Sequence, residues 1–203
     1  MTAQINDIFS YEDDEYNISA IEYPGRFFSI KRLGITPMSP HTACWRGYVA
    51  TFSIYNDKLV LKALDTNNSN GEAQPVTINR IMPTVIKPET SSVDYDGWRD
   101  WQYRDINKVI RYTGRVMITD DFIHERYIHM GFQSPLSYKK VVELTFDKGH
   151  LTGANDLSET VANLRKTQEM ESRDSQLARL PLWIEDSFDL GYNTKFNFGK
   201  IPD

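Results

Sequence analysis

Cysteine is almost missing from this chain. Cys44 is the one thiol in 203 residues, which excludes an internal disulfide and a cysteine-based zinc site. A reducing compartment, the cytoplasm, is the expectation that follows. No apolar run approaches the ~18 residues of a membrane-spanning helix, so no membrane partner is expected. No Lys or Arg precedes Arg26, and Met1 to Glu22 holds no apolar stretch. That segment is expected to be neither a secretory signal nor a transit peptide. A Gly-x-Ser-x-Gly elbow, a Walker loop and a dinucleotide fingerprint are all lacking. Basic charge is short as well: 23 Lys and Arg stand against 28 Asp and Glu, a net charge of −5. Nucleic-acid binding by counterion release needs a basic face and is not expected. The same acidity suits a protein partner of basic charge.

What the sequence does contain is β patterning. Hydrophobic residues make up 40% and charged residues 25%, the balance of an ordinary globular chain. Cys44 to Tyr55 is rich in aromatic and β-branched residues. Asn56-Asp57 offers turn chemistry, and Lys58 to Leu64 returns with Leu59, Leu61 and Ala63 on one face, a hairpin signal. Arg26 to Leu33, closed by Gly34, reads as a first strand. Pro75 to Ile81 and Thr84 to Lys87 read as shorter strands. Val109 to Ile118 alternates, with Ile110, Tyr112, Gly114, Val116 and Ile118 inward. Thr119-Asp120-Asp121 is expected to turn the chain, Phe122 to Met130 to return as a strand, and Gly131 to Pro135 to bend again. Tyr138 to Phe146 then places Val142, Leu144 and Phe146 on one face, and Asp147-Lys148-Gly149 turns into a short strand through Leu151. Trp45-Arg46-Gly47-Tyr48-Val49 and Tyr112-Thr113-Gly114-Arg115-Val116 echo one another weakly, as β patterning alone also does.

Leu157 to Leu180 is the long helix candidate. Asp156 caps it with Glu159 as reciprocal partner, and Pro181 stops it. Leu157, Val161 and Leu164 form its apolar stripe, while Arg165 to Gln176 is polar. The tail 182–198 is aromatic, and at ~25 cal/mol per Å² each ring favours burial by a few kcal/mol. The fold expected is mainly β: an antiparallel barrel or sandwich with one C-terminal α-helix and an aromatic tail. Residues 1–22 are expected as an acidic N-terminal arm, 23–156 as the β-rich core, and 157–203 as helix and tail packed on that core.

Two segments carry a resemblance. They are Thr42 to Ala50, with Trp45-Arg46-Gly47-Tyr48, and Tyr127 to Ser134, with Tyr127-Ile128-His129-Met130-Gly131-Phe132-Gln133-Ser134. On these the chain resembles a set of short, uncharacterised bacterial proteins with a Trp-x-Gly-Tyr strand and a Tyr-x-His-Met-Gly-aromatic-x-Ser bend. The resemblance implies a bacterial or phage origin and attaches no activity, cofactor or partner.

Candidate chemistry is sparse. His124-Glu125-Arg126-Tyr127-Ile128-His129 lacks the i, i+4 histidine pair of a helical zinc site. On a strand its two histidines point to opposite faces, so no metal is expected there. Glu125, Tyr127 and His129 share a strand face and form either a hydrogen-bond network or an acid–base patch at a barrel mouth. Trp98, Arg99, Trp101 and Tyr103, within Asp94 to Asn107, form either a short helix or an aromatic-lined loop. There they cover the core or anchor a ligand or partner. Cys44 has only His41 near it in sequence and reads as a buried, inert thiol.

The reading leans against an enzyme and expects no cofactor. The leading expectation is a non-enzymatic protein-binding module, an immunity-type or inhibitor protein being one form. The alternatives are a small-ligand-binding barrel or enzyme with its site at the mouth, and a self-assembling subunit that exchanges its tail 182–198 between copies.

Overall fold

The computed structural model describes residues 2–67, 75–86, 99–169 and 190–191. Strand β1 (Ile8–Tyr11) and strand β2 (Asp14–Ile21) open the fold as a hairpin. Glu12 and Asp13, both at positive φ, make its two-residue turn, which matches the twist of the flanking strands. This corrects the expectation of an acidic arm. The carboxylates sit at the turn and on the outer positions, whereas Phe9, Tyr16, Ile18 and Ala20 are buried. Charge at a hairpin tip had masked a period-two apolar pattern.

A short helix α1 (Pro24–Phe27) and a 3-10 turn (Ile30–Leu33) follow, in place of the strand expected from Arg26 to Leu33. Pro24 sits in the first helical turn, where its missing N–H costs nothing. Phe27 and Phe28 are driven down onto Phe52, at centroid distances of 4.7 and 5.4 Å, and so plug one end of the barrel. Strand β3 (Tyr48–Tyr55) then pairs with β4 (Lys58–Thr66) around an Asn56-Asp57 turn. Strand β3 starts later than the sequence suggests, because Cys44 to Gly47 form a turn with Gly47 N–H donating to the Cys44 carbonyl. Register shifts at Thr51/Phe52, so the core-facing set on β4 runs Leu59, Leu61, Leu64 and Ala63 falls outside it.

Pro75 to Ile81 forms an isolated bridge, Ile78 to Ile81, around Asn79-Arg80. Strands β5 (Thr84–Val85) and β6 (Trp101–Tyr103) extend the sheet beyond β4. Strand β7 (Lys108–Val109) lies beside β4, and β8 (Gly114–Phe122) pairs with β2. Asp120 and Asp121 therefore lie within a strand and do not turn the chain. The reversal comes at 123–137, as two 3-10 turns, His124–Arg126 and Pro135–Ser137, in place of the strand expected from Phe122 to Met130. Strands β9 (Tyr138–Asp147) and β10 (His150–Asp156) complete the meander.

Pairing runs β10-β9-β8-β2-β1-β3-β4, and β10 returns to β4 at His150–Lys58, closing a ring. Every pairing is antiparallel except β1 with β3. Inside the ring lie Phe9, Ile18, Phe52, Leu59, Leu61, Val116, Ile118, Val142, Leu144 and Phe146. Helix α2 (Ser158–Glu169) packs outside, with Val161 against Ala20, Met117, Tyr138 and Val141. Leu164, expected on that apolar stripe, is exposed. The rest of the expected helix to Leu180, and the tail 182–198 apart from Leu190 and Gly191, lie outside the described residues. No described helix is long and apolar enough to cross a membrane.

Candidate functional site

The wall of the ring has a notch. Strand β1 joins β2 and β3 only over Ile8–Tyr11, while β2 continues to Ile21 and β3 reaches back to Tyr48. Where β1 stops, the chain leaves the wall, since residues 4 and 5 bond to the Gly131 and Ala43 carbonyls. The backbone N–H of Ala50 is left without a ladder partner on that side. Asp7 supplies one: its Oδ1 accepts from Ala50 N–H at 2.8 Å.

The other Asp7 oxygen holds Arg46. Arg46 Nη1 donates to Asp7 Oδ2 at 2.6 Å and Nη2 to the Ile5 carbonyl at 3.0 Å. The guanidinium lies over the Tyr48 and Phe132 rings, 4.9 and 5.1 Å from their centroids. Burial works against the charge on Arg46, but Asp7 outweighs it and holds the group firmly protonated. Burial also pushes the Tyr48 hydroxyl up to about 12, so it is a neutral phenol at any physiological pH. Gly47 lets the segment make this turn. Its φ is +71°, and a Cβ there would run into the Met38 carbonyl.

A cavity of about 270 Å³ opens beside this pair. Its walls are Ile21, Pro24, Phe27, Phe28, Trp45, Tyr48, Phe132 and Leu190, with Asp7 and Arg46 as the charged members. Leu190 is held there because its carbonyl accepts from Ile21 N–H at 2.7 Å. The two segments of the sequence resemblance thus meet at one point, with Arg46 between Tyr48 of the first and Phe132 of the second.

None of the described residues singled out from the sequence lines the cavity. Trp98 is outside the described residues. Arg99 approaches Asp65, Nη1 to Oδ2 at 3.9 Å. Trp101 and Tyr103 form β6 rather than a helix or loop, and both are buried in the core. Tyr103 donates its hydroxyl to the Val76 carbonyl at 2.8 Å, and burial raises it to about 12. Glu125, Tyr127 and His129 do not share a strand face, because their segment is a 3-10 turn and a loop. Tyr127 and His129 are exposed and stack edge to face with centroids 4.8 Å apart, and Glu125 is exposed on the turn. Cys44 is buried, and that burial pushes its thiol up. His41 Nδ1 accepts from Ala43 N–H, a local turn contact. Among the described residues no three His, Cys, Asp or Glu side chains gather as metal ligands would.

Arg46, Asp7 and the cavity were missed in the sequence. The available signal was a basic residue inside an aromatic run, Trp45-Arg46-Gly47-Tyr48, facing a buried carboxylate 39 residues earlier. Such a pairing cannot be read from spacing. No protein-family model, curated protein or solved structure matches this chain.

Proposed function

We propose that the protein is a non-enzymatic binding protein and that the cavity beside Arg46 is its site. One observation carries this reading: a partly buried, charged guanidinium is fixed by Asp7, the Ile5 carbonyl and two aromatic rings at the edge of an aromatic-walled cavity. Concave, largely apolar walls with a few placed polar groups are how small-ligand sites are built. Among the described residues the lining contains no Cys, Ser, Thr, His or Lys, and its phenol and carboxylate are a poor acid and an engaged base. The groups on offer hold and orient; they do not transfer protons or attack.

The test is a titration of isotope-labelled protein with small acids, amines and neutral compounds, followed by backbone amide NMR. Saturable shifts clustered at Trp45, Tyr48 and Phe132 are expected. A set of compounds that leaves these amides unmoved overturns the assignment of the site.

A second reading keeps the same surface and makes the occupant a side chain of a protein partner, as an immunity-type or inhibitor protein would use it. It draws support from the exposed Trp45, at 43%, on the cavity wall, and from Tyr23, at 53%, next in the chain to Pro24 of that wall. Tyr and Trp dominate the energetics of such interfaces. A pull-down that recovers no protein, beside saturable small-molecule binding, selects the first reading.

A further inference from the structure

We infer that the cavity selects a small carboxylic acid with an apolar body, its carboxylate accepting from Arg46; this rests on the cavity being the binding site. The Arg46 guanidinium carbon lies over the Tyr48 and Phe132 rings, so both rings are already engaged with this cation. What a guanidinium offers a polar ligand is N–H donors, and their partner is an acceptor.

Donors are also in surplus. A guanidinium carries five N–H groups. Asp7 Oδ2 and the Ile5 carbonyl take two of them. Both Asp7 oxygens are already engaged, Oδ2 by Arg46 and Oδ1 by Ala50 N–H. The Asp7 side chain is 5% exposed against 18% for Arg46, so the accessible pole of the pair is the positive one. A cation would meet the like charge of Arg46.

Carboxylate is favoured over phosphate. A dianion is costlier to desolvate between apolar walls, and here it would sit near the Asp7 carboxylate with only one arginine to balance it. The rest of the cavity is built for carbon: Ile21, Pro24, Phe27, Phe28 and Leu190. Its 270 Å³ falls just below the ~300 Å³ at which drug-sized sites begin, which suits one ring or a short chain beside the carboxylate.

The experiment compares 3-phenylpropanoate and hexanoate with their primary amides, with 3-phenylpropylammonium and with inorganic phosphate. Binding is read at neutral pH from the Trp45 and Tyr48 amides. The acids should bind about tenfold or more tighter than the amides, as loss of a charge-assisted hydrogen bond implies. The ammonium and phosphate should not compete with them. Amides that bind as tightly as the acids, or an ammonium or phosphate that competes, overturn the carboxylate while leaving the site standing. Failure of all four classes to move these amides overturns the site as well. The comparison alters the ligand only, so it does not depend on any variant folding.

Discussion

Asp7 and Arg46 form an ion pair with little water on either side, so removing one strands the other in a low-dielectric place. Arg46→Met should cost about 3–5 kcal/mol of stability, the usual cost of an orphaned buried charge. Adding Asp7→Asn to it should recover part of that loss, because the stranded charge is gone. Chemical denaturation of both variants checks this, and strictly additive losses would show that the two groups are not coupled. Glu143 is a different case. It lies on the outer face of β9, 3.8 Å from Arg115 Nη1, and burial lifts its carboxyl above the ordinary 4.5 despite that arginine. A carboxyl raised on folding stabilises while protonated, and the benefit is lost as pH rises through its folded value. Glu143→Gln should therefore equal or exceed the native protein in stability at pH 7. That advantage should vanish below pH 4.5. Melting curves across that interval decide it, and a variant less stable at pH 7 would mean that the Arg115 pair outweighs burial.

Helix α2 is fastened to the barrel at its first turn. Asp156 Oδ1 accepts from Ser158 N–H at 2.8 Å, and Ser158 Oγ accepts from Val141 N–H at 3.0 Å. The Ser158 contacts hold the Asp156 carboxyl below its ordinary 3.8. A depressed carboxyl stabilises above its unfolded value and loses that contribution as pH falls through the folded one. Asp156→Ala should cost about 1 kcal/mol at pH 7 and less at a pH below both values, where the carboxyl has lost its charge, by the same melting assay. Cap, hairpins and meander were the legible elements. Asn56-Asp57 and Asp147-Lys148-Gly149 turn as expected, and Val142, Leu144 and Phe146 face inward together. What misled was charge at strand ends. Glu12 and Asp13 disguised a hairpin as an arm, and Asp120-Asp121 disguised the end of β8 as a turn. Both pairs sit where strands run into solvent, and a window of sequence does not distinguish that from a loop. For Trp101 and Tyr103 the flanking Asp and Arg left core and surface roles open, and the structure places both rings in the core. The site was illegible for a further reason. It assembles Asp7, Arg46, Phe132 and Leu190 across most of the chain, and its key event, the early end of β1, is a property of the sheet.

Closing the ring is the act that shapes the whole molecule, and it hangs on few bonds. Between β10 and β4 the ladder pairs only His150 with Lys58. The seam is completed through a turn: the Gly149 carbonyl accepts from Leu59 N–H and Gly149 N–H donates to the Tyr112 carbonyl, both at 2.7 Å. The Leu59 carbonyl in turn accepts from Ile110 N–H at 2.9 Å. Gly149 thus ties the meander's last hairpin to the β3–β4 hairpin and to the segment leading into β8. Its φ is +90°, and a Cβ there would collide with the Ile110 carbonyl. Any other residue must bear that backbone strain, about 1–3 kcal/mol, or let the seam part. Gly149→Ala should lower stability by at least that amount. The distinctive sign is local: amide exchange at Leu59 and Ile110 should accelerate more than at Phe9 or Ile18, which face the opposite wall. Uniform acceleration across all four would mean that the barrel opens only by global unfolding, and that β10 with β4 is no weaker than the rest of the wall.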